Sequence, residues 1–238
     1  MTKPRAAEPE GTRRRAAFRD RRSGVQASPE TEPMDAFAQA RPLADATAAP
    51  ATPSRDQAME AVRTLIAWAG DDPRRAGLID TPSRVVEAFG EWFQGYRADP
   101  AEELSRVFED VEGYDDMVLL RGIEVESHCE HHLAPFLGKA WVAYVPGKRV
   151  VGISKIARVV EIFAKRLQNQ ETLTLQIEGA LTTHLEPLGV AVLIEAEHQC
   201  MTTRGVHHRH VSTVTTRFTG VFRDEAQQQR FLTLARSA

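Results

Sequence analysis

The 238-residue sequence predicts an α+β fold, an antiparallel sheet with two helices packed on one face. Two observations carry that reading. Beyond Gly113 the chain runs strand, strand, helix, helix, strand, strand, the strands rich in branched and aromatic residues and the helices apolar at 3.6-residue spacing. Before Gly113 the only periodicity is helical. With 42% hydrophobic and 26% charged residues the chain is long enough to bury one substantial core. Three divisions follow: a disordered Arg/Ala/Pro-rich tail over 1–55, an N-terminal helical subdomain over 56–112, and the main domain over 113–238.

In the tail, Arg13, Arg14, Arg15, Arg19, Arg21 and Arg22 cluster, but Glu8, Glu10 and Asp20 dilute them. A solvated tail is expected ahead of a nucleic-acid arm or a transit sequence. From Asp56, residues Met59, Val62, Leu65, Ile66 and Ala69 recur at helical spacing until Gly70 and Pro73 stop them. A second helix is expected at Thr81-Pro82, the Thr capping and the Pro fitting the first turn, with Val85, Val86, Phe89, Trp92 and Phe93 as its apolar face.

Met117–Val125 and Lys139–Val145 read as strands, the latter closed by Pro146-Gly147. Ser154 is positioned to cap a helix whose inward face is Ile156, Val159, Val160, Phe163 and Leu167. The next helix carries Leu173, Ile177, Ala180, Leu181 and His184 and ends at Pro187-Leu188-Gly189. Val190–His198 and Val211–Phe222 supply the last two strands, and Asp224 caps a short terminal helix.

A net charge of −3 gives no bulk attraction for nucleic acid, so any anion site must be local. The chain has no apolar run of about 18 residues and no secretory leader, so no membrane partner is expected and a cytoplasmic, reducing setting is the default. Only two cysteines are present, Cys129 and Cys200. They could form one disulfide, be inert thiols, or bind metal.

Metal is the reading the neighbours favour. Cys129-Glu130-His131-His132 packs a thiol and two imidazoles into four residues after a strand, and positions i and i+3 of a tight turn can converge on one ion. His198 and Cys200 share parity on the exit of a later strand. Two thiolates and an imidazole suit Zn²⁺, and three ligands leave a fourth position open for water. The structural alternative is a closed site completed by His131, His198 or one of His207, His208 and His210. Adjacent His131 and His132 diverge, which frees His131 for proton transfer, and His198 is freed by the same lack of room.

Val151-Gly152-Ile153-Ser154-Lys155 opens a helix, where backbone N–H groups and the positive dipole end can receive phosphate. Lys155 and Arg158 share a face of that helix, and Arg204-Gly205 puts a further cation just past Cys200. Each could equally be a solvated basic residue. Gln170-Glu171 begins the following helix, where a carboxylate is welcome at the dipole end; it could also accept paired hydrogen bonds from guanine, with the glutamine reading a carbonyl beside them.

Taken in order, five motifs resemble the GTP cyclohydrolase I family over roughly Ala58 to Leu234. They are Gly77-Leu78 with Thr81-Pro82-x-Arg84, Ser127-x-Cys129-Glu130-His131-His132, Gly152-x-Ser154-Lys155 with Ala157-Arg158, Gln168-x-Gln170-Glu171, and His198-x-Cys200 with Arg204-Gly205. The resemblance implies the tunnelling fold for the 113–238 domain and a homo-oligomer of two stacked pentamers with active sites between subunits. It implies that Cys129, His132 and Cys200 bind zinc. His131, His198 and Ser154 would move protons; Lys155, Arg158 and Arg204 would hold the triphosphate and ribose side; Gln170 and Glu171 would grip guanine. The implied reaction opens the guanine imidazole ring of GTP with zinc-activated water, releasing formate and yielding 7,8-dihydroneopterin triphosphate. Asn169 and Thr172 depart from the family pattern, which usually has an aliphatic residue and often a basic one there. Two alternatives stand beside this expectation: a silent homologue that keeps zinc for structure, and another purine-acting tunnelling-fold enzyme. The latter's nitrile-reducing form needs a nucleophilic cysteine, and both cysteines here are better used as ligands.

Overall fold

A computed structural model of the protein describes residues 52–105, 107–108 and 114–237, all within one compact unit spanning 46–238. The expected Arg-rich tail lies outside the described residues except for 52–55. Helix α1 (Arg55–Trp68) opens with a capping box, Ser54 accepting from the Gln57 N–H while the Gln57 side chain accepts from the Ser54 N–H. Helix α2 (Thr81–Trp92) starts one residue earlier than a Thr81 cap requires: Asp80 holds the cap position without a side-chain bond, and Thr81 is already helical. Pro82 fits there because an N–H in the first turn has no helical partner to lose.

The end of α2 is tied to the sheet by aromatic packing. His128 lies between Trp92 and Phe93, with ring centroids 4.9 and 5.2 Å away, and both burial and Lys165 push its pKa down. A 3₁₀ turn (Gln94–Arg97) and a short helix α3 (Pro100–Leu104, capped by Asp99) follow, in a stretch the sequence pattern leaves unassigned. Arg166 donates to the carbonyls of Gly95 and Ala98. Gly95 is required at this contact, since a Cβ there would stand 2.0 Å from the Ile162 carbonyl oxygen.

The main sheet has five strands in the order β5-β2-β3-β6-β7, and a two-residue pair β1 (Val107–Phe108) with β4 (Val150–Val151) lies apart. β2 (Val118–Cys129), β3 (Pro135–Val145), β6 (Gly189–His198) and β7 (Ser212–Phe218) pair antiparallel; β5 (Leu167–Gln168) pairs parallel with the end of β2. β2 and β3 outrun their expected bounds at the turn that joins them. Pairing continues to His128 opposite Pro135, whereas the apolar signal stops at Val125 because Glu126, Ser127 and His128 are polar. β7 stops short of its expected end, because Gly220 turns the chain with φ +54 and a Cβ there would stand 2.0 Å from the Leu188 carbonyl oxygen.

Helices α4 (Ile153–Ala164) and α5 (Gln170–Leu185) cover one face. Ile156, Val159, Val160, Leu173, Ile177 and Leu181 pack against Val125, Phe136, Val142, Tyr144, Val192 and Ile194 in one core. The other face is not bare: Ala143, Val145, Ala191 and Leu193 pack with Phe222 and with Phe231 and Ala235 of α7 (Glu225–Arg236). Alternate residues of β3 thus serve opposite cores, as period-2 side chains must. Asp224 caps α7, accepting from the Gln227 N–H. No helix among the described residues is long and apolar enough to cross a membrane.

α7 is pinned by Arg230, which makes two hydrogen bonds of 2.6 and 2.7 Å to Asp116. That pairing, with the Met117 N–H, lowers the Asp116 pKa to about 2. A folded value below the ordinary one means the contribution is complete above the unfolded pKa of about 3.9 and is lost as pH falls towards 2. The melting temperature of Asp116→Asn should therefore lie below that of the parent at pH 7, with the gap closing between about pH 4 and pH 2. The pair is solvent-exposed, so the gap should be small and should narrow further in high salt.

Candidate metal centre and its neighbours

Cys129 is the last residue of β2, and the turn after it is closed by N–H groups of His132 and Leu133 reaching back to the Cys129 carbonyl. Leu133 takes φ 54 to complete it. Cys200 arrives from β6, but not by strand parity. β6 ends at His198, and Cys200 lies in a helical turn, α6 (Gln199–Thr202), packed beside β3. The ligand atoms of Cys129, His132 and Cys200 all lie within 4.8 Å of one another, the only such group of three or more His, Cys, Asp or Glu among the described residues. Tetrahedral zinc with bonds of about 2.0–2.3 Å needs ligand atoms about 3.5–3.8 Å apart; Cys129 Sγ stands 3.9 Å from His132 Nδ1.

The chemistry of the donors also fits a cation. Both cysteines are free thiols. Burial pushes the Cys200 thiol pKa up and the neighbouring Cys129 pushes it further, two penalties that a divalent ion between them reverses. Ser127, on the same strand face as Cys129, keeps a buried hydroxyl with no partner among the described residues. His131 Nδ1 comes within 3.5 Å of Cys129 Sγ, yet His131 does not join the group of three. His198, His207, His208 and His210 do not join it either.

His198 stands two residues ahead of Cys200. Its ring stacks on Phe136 with centroids 4.6 Å apart and planes within 10°, and its Nε2 lies 2.9 Å from Gln170 Oε1. Burial pushes the His198 pKa down while Glu171 pulls it partly back. Glu171 itself is exposed on the first turn of α5. Gln170, expected beside Glu171 in a guanine grip, has a side chain 1% exposed whose amide bonds to protein partners.

Ser154 is also placed differently. Gly152 holds the N-cap of α4 without a side-chain bond, and Ser154 sits exposed inside the first turn, because an extended ψ of 131° at Gly152 already starts the helix there. Lys155 and Arg158 share a face as expected and converge on Glu103 of α3, at 2.6 and 3.4 Å. The Lys155 hydrogen bond holds the Glu103 carboxyl below its usual range. Arg204 is exposed in the turn after α6, before Gly205 at φ +64. A hollow of about 500 Å³, lined by Glu197, Gln199, Arg209, His207 and His210 among others, flanks the cluster without including its ligands.

Three participants have no sequence signal of this role. Glu103 is 52 residues from Lys155, and Phe136 lies ahead of the strand expected from Lys139. Asn169 shows only as a departure from a family pattern. In the fold its Oδ1 caps α5 by accepting from the Thr172 N–H and its Nδ2 donates to Glu130 Oε1, which stands 3.8 Å from His131 Nε2.

An α+β fold that gathers two thiols and an exposed imidazole near a half-buried histidine and a helix-borne cation pair defines a protein of the candidate metal-site class. The family model described as GTP cyclohydrolase I matches residues 58–236. A GTP cyclohydrolase 1 of Hyphomonas neptunium is 69% identical over 183 residues, 76% of this chain and 89% of that protein. One of Maricaulis maris is 66% identical over 187 residues, 78% of this chain and 91% of that protein. Among solved structures, that of the archaeosine synthase QueF-Like in the apo form aligns at 18% identity and a TM-score of 0.37 over 44% of this chain and 93% of that chain, too remote to carry an argument. The chain belongs to the GTP cyclohydrolase I family.

Proposed function

We propose that the chain catalyses hydrolytic opening of the guanine imidazole ring of GTP, with loss of formate and formation of 7,8-dihydroneopterin triphosphate. The observation that carries this is the convergence of Cys129, His132 and Cys200 next to His198 in a chain of this family. Zinc is the ion the two thiols and imidazole suit, and when bound it supplies activation of water at neutral pH. His132 and the two cysteines would hold it and leave one position open.

The chain's own groups supply the rest. His198, its ring plane fixed on Phe136, gives a proton to the ring nitrogen released as the imidazole opens. His131, beside Glu130, moves protons in the later steps, with Ser154 as a further carrier. Lys155 and Arg158 at the start of α4, with Arg204, take the triphosphate and ribose side, the first two exchanging Glu103 for phosphate oxygens. Glu171 accepts from the guanine ring N–H and amino group. We take the active unit to be a cytoplasmic homo-oligomer of two stacked pentamers with sites between subunits, and the 56–112 and 113–238 segments to be its helical and catalytic parts.

Incubating the full chain, loaded with zinc, with GTP should release formate and give a product that becomes fluorescent on oxidation. Full metal loading with neither signal would favour a silent homologue. Formate without a pterin would favour a different purine reaction.

A further inference from the structure

The surroundings of Gln170 are specific enough to assign atoms. Its side-chain nitrogen lies 3.1 Å from the Ile194 carbonyl oxygen, 2.9 Å from the Thr213 carbonyl oxygen and 3.1 Å from Thr215 Oγ1. Backbone carbonyls only accept, so the group facing them must be the NH₂, whose two hydrogens they use. Turning the amide over would set its oxygen against two carbonyl oxygens in a site 1% exposed. The hydroxyls agree: Thr174 Oγ1 donates to the Gln170 backbone carbonyl at 2.8 Å, so Thr215 Oγ1, 2.7 Å from Thr174 Oγ1, donates in turn to it. This chain runs in one direction and spends the Thr215 hydrogen away from Gln170.

With NH₂ committed to the strands β6 and β7, the Gln170 oxygen is left facing His198 Nε2 at 2.9 Å. An amide oxygen can only accept. The His198 Nε2 must therefore carry a hydrogen, and in the neutral ring the lone pair is at Nδ1, for which no partner occurs among the described residues. The stack on Phe136 removes the remaining freedom of the ring plane.

We infer that Gln170 is a positioning residue, which fixes His198 in the Nε2–H tautomer and leaves Nδ1 as the atom that exchanges a proton during turnover. It acts through His198 and does not read guanine. The inference rests on the proton-transferring role assigned to His198 above. Gln170 and Glu171 are neighbours on α5 but face different tasks, one buried against the sheet and the other exposed.

The wild-type chain, zinc-loaded and labelled with ¹⁵N-histidine, tests the assignment directly. The His198 ring signals, identified by their loss in His198→Ala, should show a protonated Nε2 and a bare Nδ1 while the ring is neutral. A protonated Nδ1, or an even mixture of tautomers, would overturn it. Gln170→Met then reads the consequence. We expect one zinc per chain as in the parent, KM for GTP within about twofold, and kcat down by about 10²-fold, the low end of what a positioned acid–base group contributes. A tenfold rise in KM with kcat retained would return Gln170 to guanine recognition. Whether His198 transfers protons at all is read separately, from formate release by His198→Ala.

Discussion

Cys200→Ser is expected to strip the protein of tightly bound metal and to abolish formate release while leaving the fold in place. Cys129, His132 and Cys200 are the only triple of potential ligand atoms within 4.8 Å of one another among the described residues, so losing one leaves two. Changes that touch only the partners of metal ligands cost about 10–100-fold in affinity or activity, and removal of a ligand should exceed that range. A hydroxyl in place of the thiolate does not restore the site, because a serine oxygen is a poor ligand for zinc compared with a thiolate. The fold should tolerate the change. Cys200 is half-buried at the margin of the main core, and the substitution alters volume little. Metal analysis alongside circular dichroism separates the two effects. Retention of one tightly bound zinc per chain in the folded variant would overturn the ligand set.

The part of this site that sequence reasoning reaches is the part set by short-range geometry. Two residues three apart in a tight turn converge whatever surrounds them, so Cys129 and His132 are legible. Cys200 is legible as chemistry but not as geometry: parity along a strand cannot apply once β6 ends at His198 and α6 begins. Ser154 has the composition of an N-cap, yet the extended backbone of Gly152 takes that place, a preference of about 1 kcal/mol that tertiary context readily overrides. The helices α4 and α5 and four strands show in their periodicity. The second core under α7 does not, because periodicity says that a face is apolar and not what covers it.

Gln170 shows the limit most plainly. Its place at a helix start beside Glu171 invites a ligand-reading role, and only the carbonyls of Ile194 and Thr213, 24 and 43 residues away, reveal that its amide is spent. Asn169 runs the other way. What looks like a mismatch to a family pattern is a helix cap and a link to Glu130.

His198→Ala is expected to keep the metal and lose turnover by about 10² to 10⁴-fold, the range for a positioned acid–base group. Metal should stay because His198 lies outside the ligand triple. The variant is not structurally silent, however: truncation removes the stack on Phe136 and leaves Gln170 Oε1 without its donor. An orphaned buried acceptor costs about 1–3 kcal/mol, so a lowered melting temperature is expected and must not be read as catalysis. Assaying at a temperature where both proteins are fully folded, under saturating GTP, isolates the chemical defect as a fall in kcat. His198→Gln supplies the comparison, since an amide can donate to Gln170 Oε1 but is a far weaker acid and base than imidazole. We expect it to recover part of the lost melting temperature and none of the lost turnover. Full formate release by either folded variant would remove His198 from the reaction.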